Sequence, residues 1–141
     1  MIRLARIQDI PDIVKLGKDL QKKKKLYVDV PLVEEDFSFW LLHCINSTST
    51  EILCSYKKDK LNGILILCEC NYPWNSSIKY GLDLLFLCKK DGLKLINAAK
   101  RIAKNRKWKS LVISTTTSNE RADKFMNMVS TQIGGVYNVS S

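Results

Sequence analysis

Apolar and polar positions along this chain repeat with two different periods, and each change of period marks a predicted element. "MIRLA" reads as a short strand. In "IQDIPDIVKLGKDLQ", Ile7, Ile10, Ile13, Val14 and Leu20 fall close to a helical stripe, with Asp9 as the cap and Pro11 in the first turn. "PLVEEDFSFWLLHCI" predicts a second helix, opened by Pro31 and carrying Val33, Phe37, Trp40, Leu41 and Cys44 on one face. Three strands follow: "EILCSYK", then "KLNGILILCEC" after a Lys-Asp-Lys turn, then "KYGLDLLFLC" after the turn-rich "NYPWNSS". A helix from Gly92 to about Lys107, the strand "SLVIST", a helix over "SNERADKFMNMVS" and a last strand "GGVYNV" complete the order βααβββαβαβ. No linker or internal repeat interrupts it, so residues 1–141 are expected to form one domain.

Composition narrows the class. Hydrophobic residues make up 45% and charged residues 26% of the chain, the balance of a soluble globular protein. No apolar run reaches the length of a bilayer, and Arg3, Arg6, Asp9 and Asp12 interrupt the N-terminus where a signal peptide needs apolar residues, so a cytoplasmic protein without membrane contact is expected. Four of the five cysteines lie in strand-like runs. Cys68 and Cys70 share a face, but no second Cys or His pair stands at zinc spacing, so reduced thiols and no metal are expected. The formal charge of +9 raises nucleic acid as a partner, with Lys22, Lys23, Lys24 and Lys25 of "QKKKKLY" as its best support. Only five of the 23 basic residues are arginines, and arginine is what base-edge and bidentate phosphate readers favour, so the run suits a nonspecific polyanion contact or a solvated face, not a sequence reader.

Three stretches in order resemble the GNAT-type acetyltransferases: the opening "MIRLARIQDIPDIVKLGKDL", the glycine-led central strand "NGILILCEC", and the closing "SLVISTTTSNERADKFMNMVSTQIGGVYNV" with Asn119 starting a helix and Phe125 packing inward. The resemblance covers the whole chain. It implies an α/β (α+β) GNAT-like fold, a mixed central sheet of about six or seven strands flanked by about four helices.

In that family the pyrophosphate of acetyl-CoA lies on the N-terminus of the central helix, held by backbone amides of an Arg/Gln-x-x-Gly-x-Gly/Ala loop, where free N–H groups and the helix dipole favour an anion. Here "LFLCKKDGLKLINAA" matches the strand and the helix, but aligning Gly92 with the last glycine leaves no first glycine and no Arg/Gln at its place. Asp91 puts a negative charge where the anion would arrive and suits helix capping instead. Lys89, Lys90 and Lys94 offset part of that repulsion. The expectation is loss of the cofactor; if the site works, Leu87, Cys88, Lys89, Lys90, Gly92 and Asn119 are the positions that hold acetyl-CoA. Glu69 and Asp83 are then the candidate bases and Tyr137 the candidate acid. The alternative for the two carboxylates is an outward-facing position on an alternating strand, and for Tyr137 and for His43 a packing role.

The C-terminal half also resembles the acetyltransferase-like internal virion proteins of short-tailed bacteriophages, through Trp108, Thr117 to Asn119, Phe125 and "QIGGVY". That resemblance implies a non-catalytic structural or assembly protein that contacts other virion proteins, with a symmetric oligomer as one form, in the host cytoplasm or the particle. An active N-acetyltransferase on a small or protein amine is the alternative, and a basic module binding nucleic acid nonspecifically the second. For a protein interface the candidate surface is the aromatic turn holding Tyr72, Pro73, Trp74 and Tyr80, near the basic run.

Overall fold

The computed structural model describes residues 1–24 and 30–114. Strands β1 (Ile2–Leu4), β2 (Thr50–Lys57), β3 (Lys60–Tyr72), β4 (Asn75–Cys88) and β5 (Leu111–Val112) lie side by side in chain order in one sheet. The first four are antiparallel, and β5 joins β4 in parallel. Helices α1 (Ile10–Lys24) and α2 (Glu34–Asn46) precede β2, and α3 (Gly92–Asn105) makes the crossover from β4 to β5. This is the mixed α+β sheet expected from the sequence, with five strands and three α-helices among the described residues. The closing helix and last strand predicted beyond Ser118 lie outside them.

The sheet has helices on both faces because its central strand is apolar on both. Ile64, Leu65, Ile66 and Leu67 of β3 are all fully buried. Ile64 and Ile66 pack with Ile13, Leu16, Leu20, Leu41 and Cys44 of α1 and α2, whereas Leu65 and Leu67 pack with Leu95, Ala98 and Ala99 of α3. Two stripe positions differ from expectation: Ile7 and Val33 are more than half exposed, since both precede the helices they were expected to join.

Turn chemistry sets the registers. Lys58 and Asp59 both have positive φ (51° and 62°), the type I′ geometry whose twist suits a two-residue hairpin, and they join β2 to β3 with Lys57 opposite Lys60. "NYPWNSS" is no loop: the strands continue through it, Tyr72 pairs with Asn75, and only Pro73 and Trp74 turn. At the far end α3 stops two residues earlier than its pattern suggests. Lys107 turns left-handed (φ 59°), its N–H bonds to Lys104 O (3.2 Å), and the Trp108 N–H reaches back to Ala103 O (2.9 Å). These two bonds form a Schellman closure, and the residue that follows it is driven onto the sheet.

That residue, Trp108, lies flat on Gly81 of β4. A Cβ at Gly81 would sit 2.2 Å from the indole, so only glycine fits. The indole N–H donates to Glu69 Oε1 (2.8 Å), and Arg106 lies over the ring at 5.8 Å while donating to Glu51 (2.6 Å).

A second clasp closes the opposite edge. Arg3 of β1 donates twice to the buried Asp9 (2.7 and 2.8 Å), whose carboxylate also accepts the Arg6 N–H (2.7 Å) and the Tyr56 hydroxyl (2.8 Å). Asp9, expected to cap the first helix, lies in a short 3₁₀ turn just before α1, closes a capping box on the Arg6 N–H and binds the sheet as well. The Arg3 bonds, against the opposing cost of burial, hold the Asp9 carboxyl well below the usual carboxylate range.

Two outcomes follow from these clasps. Gly81→Ala should lower stability by about 1–3 kcal/mol, because the ring and the strand must move apart; urea unfolding measures it. Asp9→Asn should cost about 3 kcal/mol at neutral pH by breaking a buried pair. Asp9's folded pKa lies below its unfolded value, so its contribution is complete above the ordinary carboxylate pKa and is lost as pH falls. The stability gap between wild type and Asp9→Asn should therefore be constant from about pH 5 to 8 and narrow below about pH 4.

Candidate functional site

The strand β4 carries a bulge that divides it. Ile66 of β3 pairs with Leu85, but its neighbour Leu67 pairs with Asp83, so Leu84 is an extra residue and is exposed. Past the bulge Leu85 and Leu87 turn to the α1 and α2 face, and Phe86 and Cys88 to the α3 face. β5 pairs with β4 only at Gly81 and Leu82, before the bulge.

A groove of about 480 Å³ opens where Leu85 and Leu87 meet α1 and α2. Its walls include Gly17 and Gln21 of α1, Leu32, and Phe37 and Trp40 of α2, the two rings stacked at 6.2 Å. Gln21 fixes the wall that precedes α2, donating to Val30 O (2.7 Å) and accepting the Leu32 N–H (2.9 Å). Asp36 is the single ionisable residue in this lining. The groove suits an apolar chain rather than a charged ligand.

Lys89, Lys90 and Asp91 alone connect β4 to α3. The Lys89 N–H is bonded to Asn62 O of β3 (2.8 Å), and its ammonium pairs with Asp19 of α1 (3.2 Å). Asp91 stands at the head of α3 in the left-handed region (φ 69°). Its side chain, expected to cap the helix, does not do so. The carboxylate instead accepts from the Ser55 hydroxyl (3.0 Å) and lies 3.6 Å from Lys94, the Ser55 bond first among the causes that hold its pKa down. The left-handed backbone turns the carboxylate toward the sheet, away from the first amides of the helix. Lys90 is exposed beside it.

The two carboxylates nominated as bases are both engaged elsewhere. Glu69 accepts from Trp108, lies 3.6 Å from both Arg106 and Lys79, and is held below its ordinary pKa chiefly by the Trp108 bond. It shares the α3 face with Leu65 and Leu67, opposite the groove. Asp83 is buried, not outward-facing; it accepts the N–H (2.9 Å) and hydroxyl (3.1 Å) of Ser114, so it fastens the chain beyond β5 to β4. Burial pushes its carboxyl up, and the Ser114 bonds partly oppose this. His43 is exposed on α2. No group of three or more His, Cys, Asp or Glu among the described residues could hold a metal ion.

Of the other nominated positions, Leu87 is buried against the groove, Cys88 lies half-buried on the α3 face, and Gly92 begins α3. Lys22 and Lys23 are exposed near the end of α1, which Lys24 closes. Lys25, Asn119 and Tyr137 lie outside the described residues. The aromatic turn is assembled as a cluster: Tyr72 meets Tyr80 at 4.8 Å and Trp74 at 5.5 Å, and its hydroxyl bonds Ser110. Trp74 is 82% exposed, so it is not tucked over the sheet. Ser55, Asn62 and Ser114, which tie down Asp91, Lys89 and Asp83, carry no signal in the sequence, because each acts on a partner at least 27 positions away.

No protein-family model and no curated protein sequence matches the chain. Solved structures do match its fold. A ribosomal-protein-alanine N-acetyltransferase from Brucella melitensis biovar Abortus superposes with a TM-score of 0.73 at 17% identity, over 100% of this chain and 97% of that one. A GNAT family acetyltransferase from Staphylococcus aureus gives 0.68 at 20% identity, over 99% and 98%. An aminoglycoside acetyltransferase from an uncultured soil metagenomic sample, solved with sisomicin, gives 0.73 at 12% identity, over 100% and 96%. The fold is therefore that of the GNAT acetyltransferases. At such identities the likeness concerns the fold alone.

Because the Trp74 ring rests on Tyr72 and not in the core, Trp74→Ala should change stability by no more than about 0.5 kcal/mol. A thermal melt that instead shows a loss of about 3 kcal/mol would place the ring in the core.

Proposed function

We propose that this protein keeps the acetyltransferase scaffold as a binding protein and does not transfer acetyl groups. One observation carries the reading: the connection from β4 to α3 is three residues long, its first amide is bonded back to Asn62, and its last residue is an aspartate at the helix head. A pyrophosphate needs several adjacent free amides and a positive field. This connection offers a short run beside a carboxylate. The chemistry agrees with it. A base for an attacking amine must reach the bound substrate. Glu69 and Asp83 spend their oxygens on Trp108 and Ser114, away from the groove.

The groove and the exposed aromatic turn are the surfaces such a protein has for its partners, and Trp74 is the residue of the turn suited to anchor a protein contact. The virion role suggested by the sequence resemblance gains no support from the fold's neighbours, which include acetyltransferases and a transcriptional regulator but no virion protein among those compared.

An active transferase is the second reading, favoured by a specific feature. The Asp91 side chain leaves the first amides of α3 uncapped, and Lys90 is exposed next to it in the connection. Isothermal titration with acetyl-CoA separates the two. The binding-protein reading expects no association tighter than about 100 μM, or about 5.5 kcal/mol, and no thiol release with amine acceptors. Micromolar binding with turnover would establish the transferase.

A further inference from the structure

The helices on the two faces differ in charge: α1 mixes Asp12 and Asp19 with Lys15, Lys18, Lys22 and Lys23, whereas α3 is purely cationic. Asp9, Asp12, Asp19, Glu34, Glu35 and Asp36 all belong to α1, α2 or the turn leading into α1. α3 has no acidic residue from Gly92 to Asn105, and its solvent side presents Lys94, Asn97, Lys100, Arg101 and Lys104, continued past the helix by Lys107 and Lys109. The carboxylates packed near this face are already paired: Glu51 with Arg106, Glu69 with Arg106 and Lys79, and Asp91 with Lys94 at the head of the strip. Lys100, Arg101 and Lys104 are exposed and have no ion-pair partner among the described residues. At the head of α3 the strip is extended by Lys57 of β2, which is close enough to act on Asp91.

We propose that the outer face of α3 is a binding site for the phosphate backbone of nucleic acid, held without reading sequence. From Lys94 to Lys104 the strip runs about 15 Å along the helix, and a duplex carries a negative charge about every 1.7 Å of axis, so several phosphates meet it at once. An anionic membrane fits less well, because Leu93 is the one exposed apolar side chain on α3 and an interfacial helix needs an apolar face to insert. An acidic protein partner fits less well too, for want of an aromatic or apolar anchor amid the cations. The preponderance of lysine, with Arg101 the sole arginine on the strip, favours point-charge contact over base recognition. The site is separate from the groove and from the α1 lysine run; Lys94 at its head is shared with the position where acetyl-CoA would bind, so the test rests on Lys100, Arg101 and Lys104.

The test is fluorescence anisotropy of a labelled mixed-sequence duplex of about 20 base pairs, titrated from about 50 to 200 mM salt. Wild type should bind at low salt, with log K falling linearly against log salt and little change when the sequence is scrambled. Lys100→Gln, Arg101→Gln and Lys104→Gln combined should reduce the slope by up to about 2.7 and weaken binding at low salt by at least about tenfold. The melting temperature should stay at the wild-type value, since all three residues are exposed and glutamine is as good a helix former. Lys22→Gln with Lys23→Gln should leave binding within about twofold. The proposal is overturned if wild type does not bind the duplex at the lowest salt. It is equally overturned if the α3 variant binds as wild type does, or if phosphatidylserine vesicles bind the protein while the duplex does not.

Discussion

Everything in this fold is arranged around one strand that must be hidden on both sides. Ile64 to Leu67 of β3 form an unbroken apolar run, and alternation along a strand sends two of these side chains to each face. A sheet whose centre is apolar on both faces needs cover on both, and α1 with α2 supplies it on one side, α3 on the other. The close approach of α3 is permitted at Gly63, where a Cβ would meet Leu95 and Cys88 at 2.9 Å. The groove exists because this cover is incomplete: past the bulge at Leu84, Leu85 and Leu87 extend the apolar surface to the end of β4, where α1 and α2 only partly close over it.

Polar clasps at the margins hold the layers in place. Arg3, Asp9 and Tyr56 fasten the first strand and the entry to α1 onto β2, and Trp108 with Glu69 and Arg106 fastens the exit of α3 onto β3 and β4. Both are partly buried, where a hydrogen bond to a charge is stronger and the loss of one partner costs more. The second clasp also engages a carboxylate considered as a base. It commits Glu69, on a central strand, to Trp108 and Arg106, and Ser114 engages Asp83 in the same way.

Neutralising the carboxylates on one face also leaves the remaining lysines there without partners. Asp12 stands in the first turn of α1 and Glu34, Glu35 and Asp36 in that of α2, where a helix dipole favours negative charge, while α3 has no acid in its first turn. The outer side of α3 is thus purely cationic among the described residues, a local concentration of charge that composition alone does not fix.

The chain by itself determined the elements. The runs "EILCSYK" and "KLNGILILCEC", the helical stripe through Ile13 and Leu20, and the amphipathic helix opening at Gly92 all appear in place, because periodicity and burial are local consequences of which side chains must leave water. What tertiary structure decided is which polar groups meet. Asp9 and Asp91 both read as helix caps; Asp9 caps the turn before α1 and also binds the sheet through Arg3 and Tyr56, while Asp91 binds it instead through Ser55, 36 positions away. Glu69 and Asp83 read as strand carboxylates free to act or to face water, and each is committed to a partner more than 30 positions distant. A hydrogen bond depends on where two backbones are brought together in space, and a one-dimensional pattern carries the period of each element but not the distance between them.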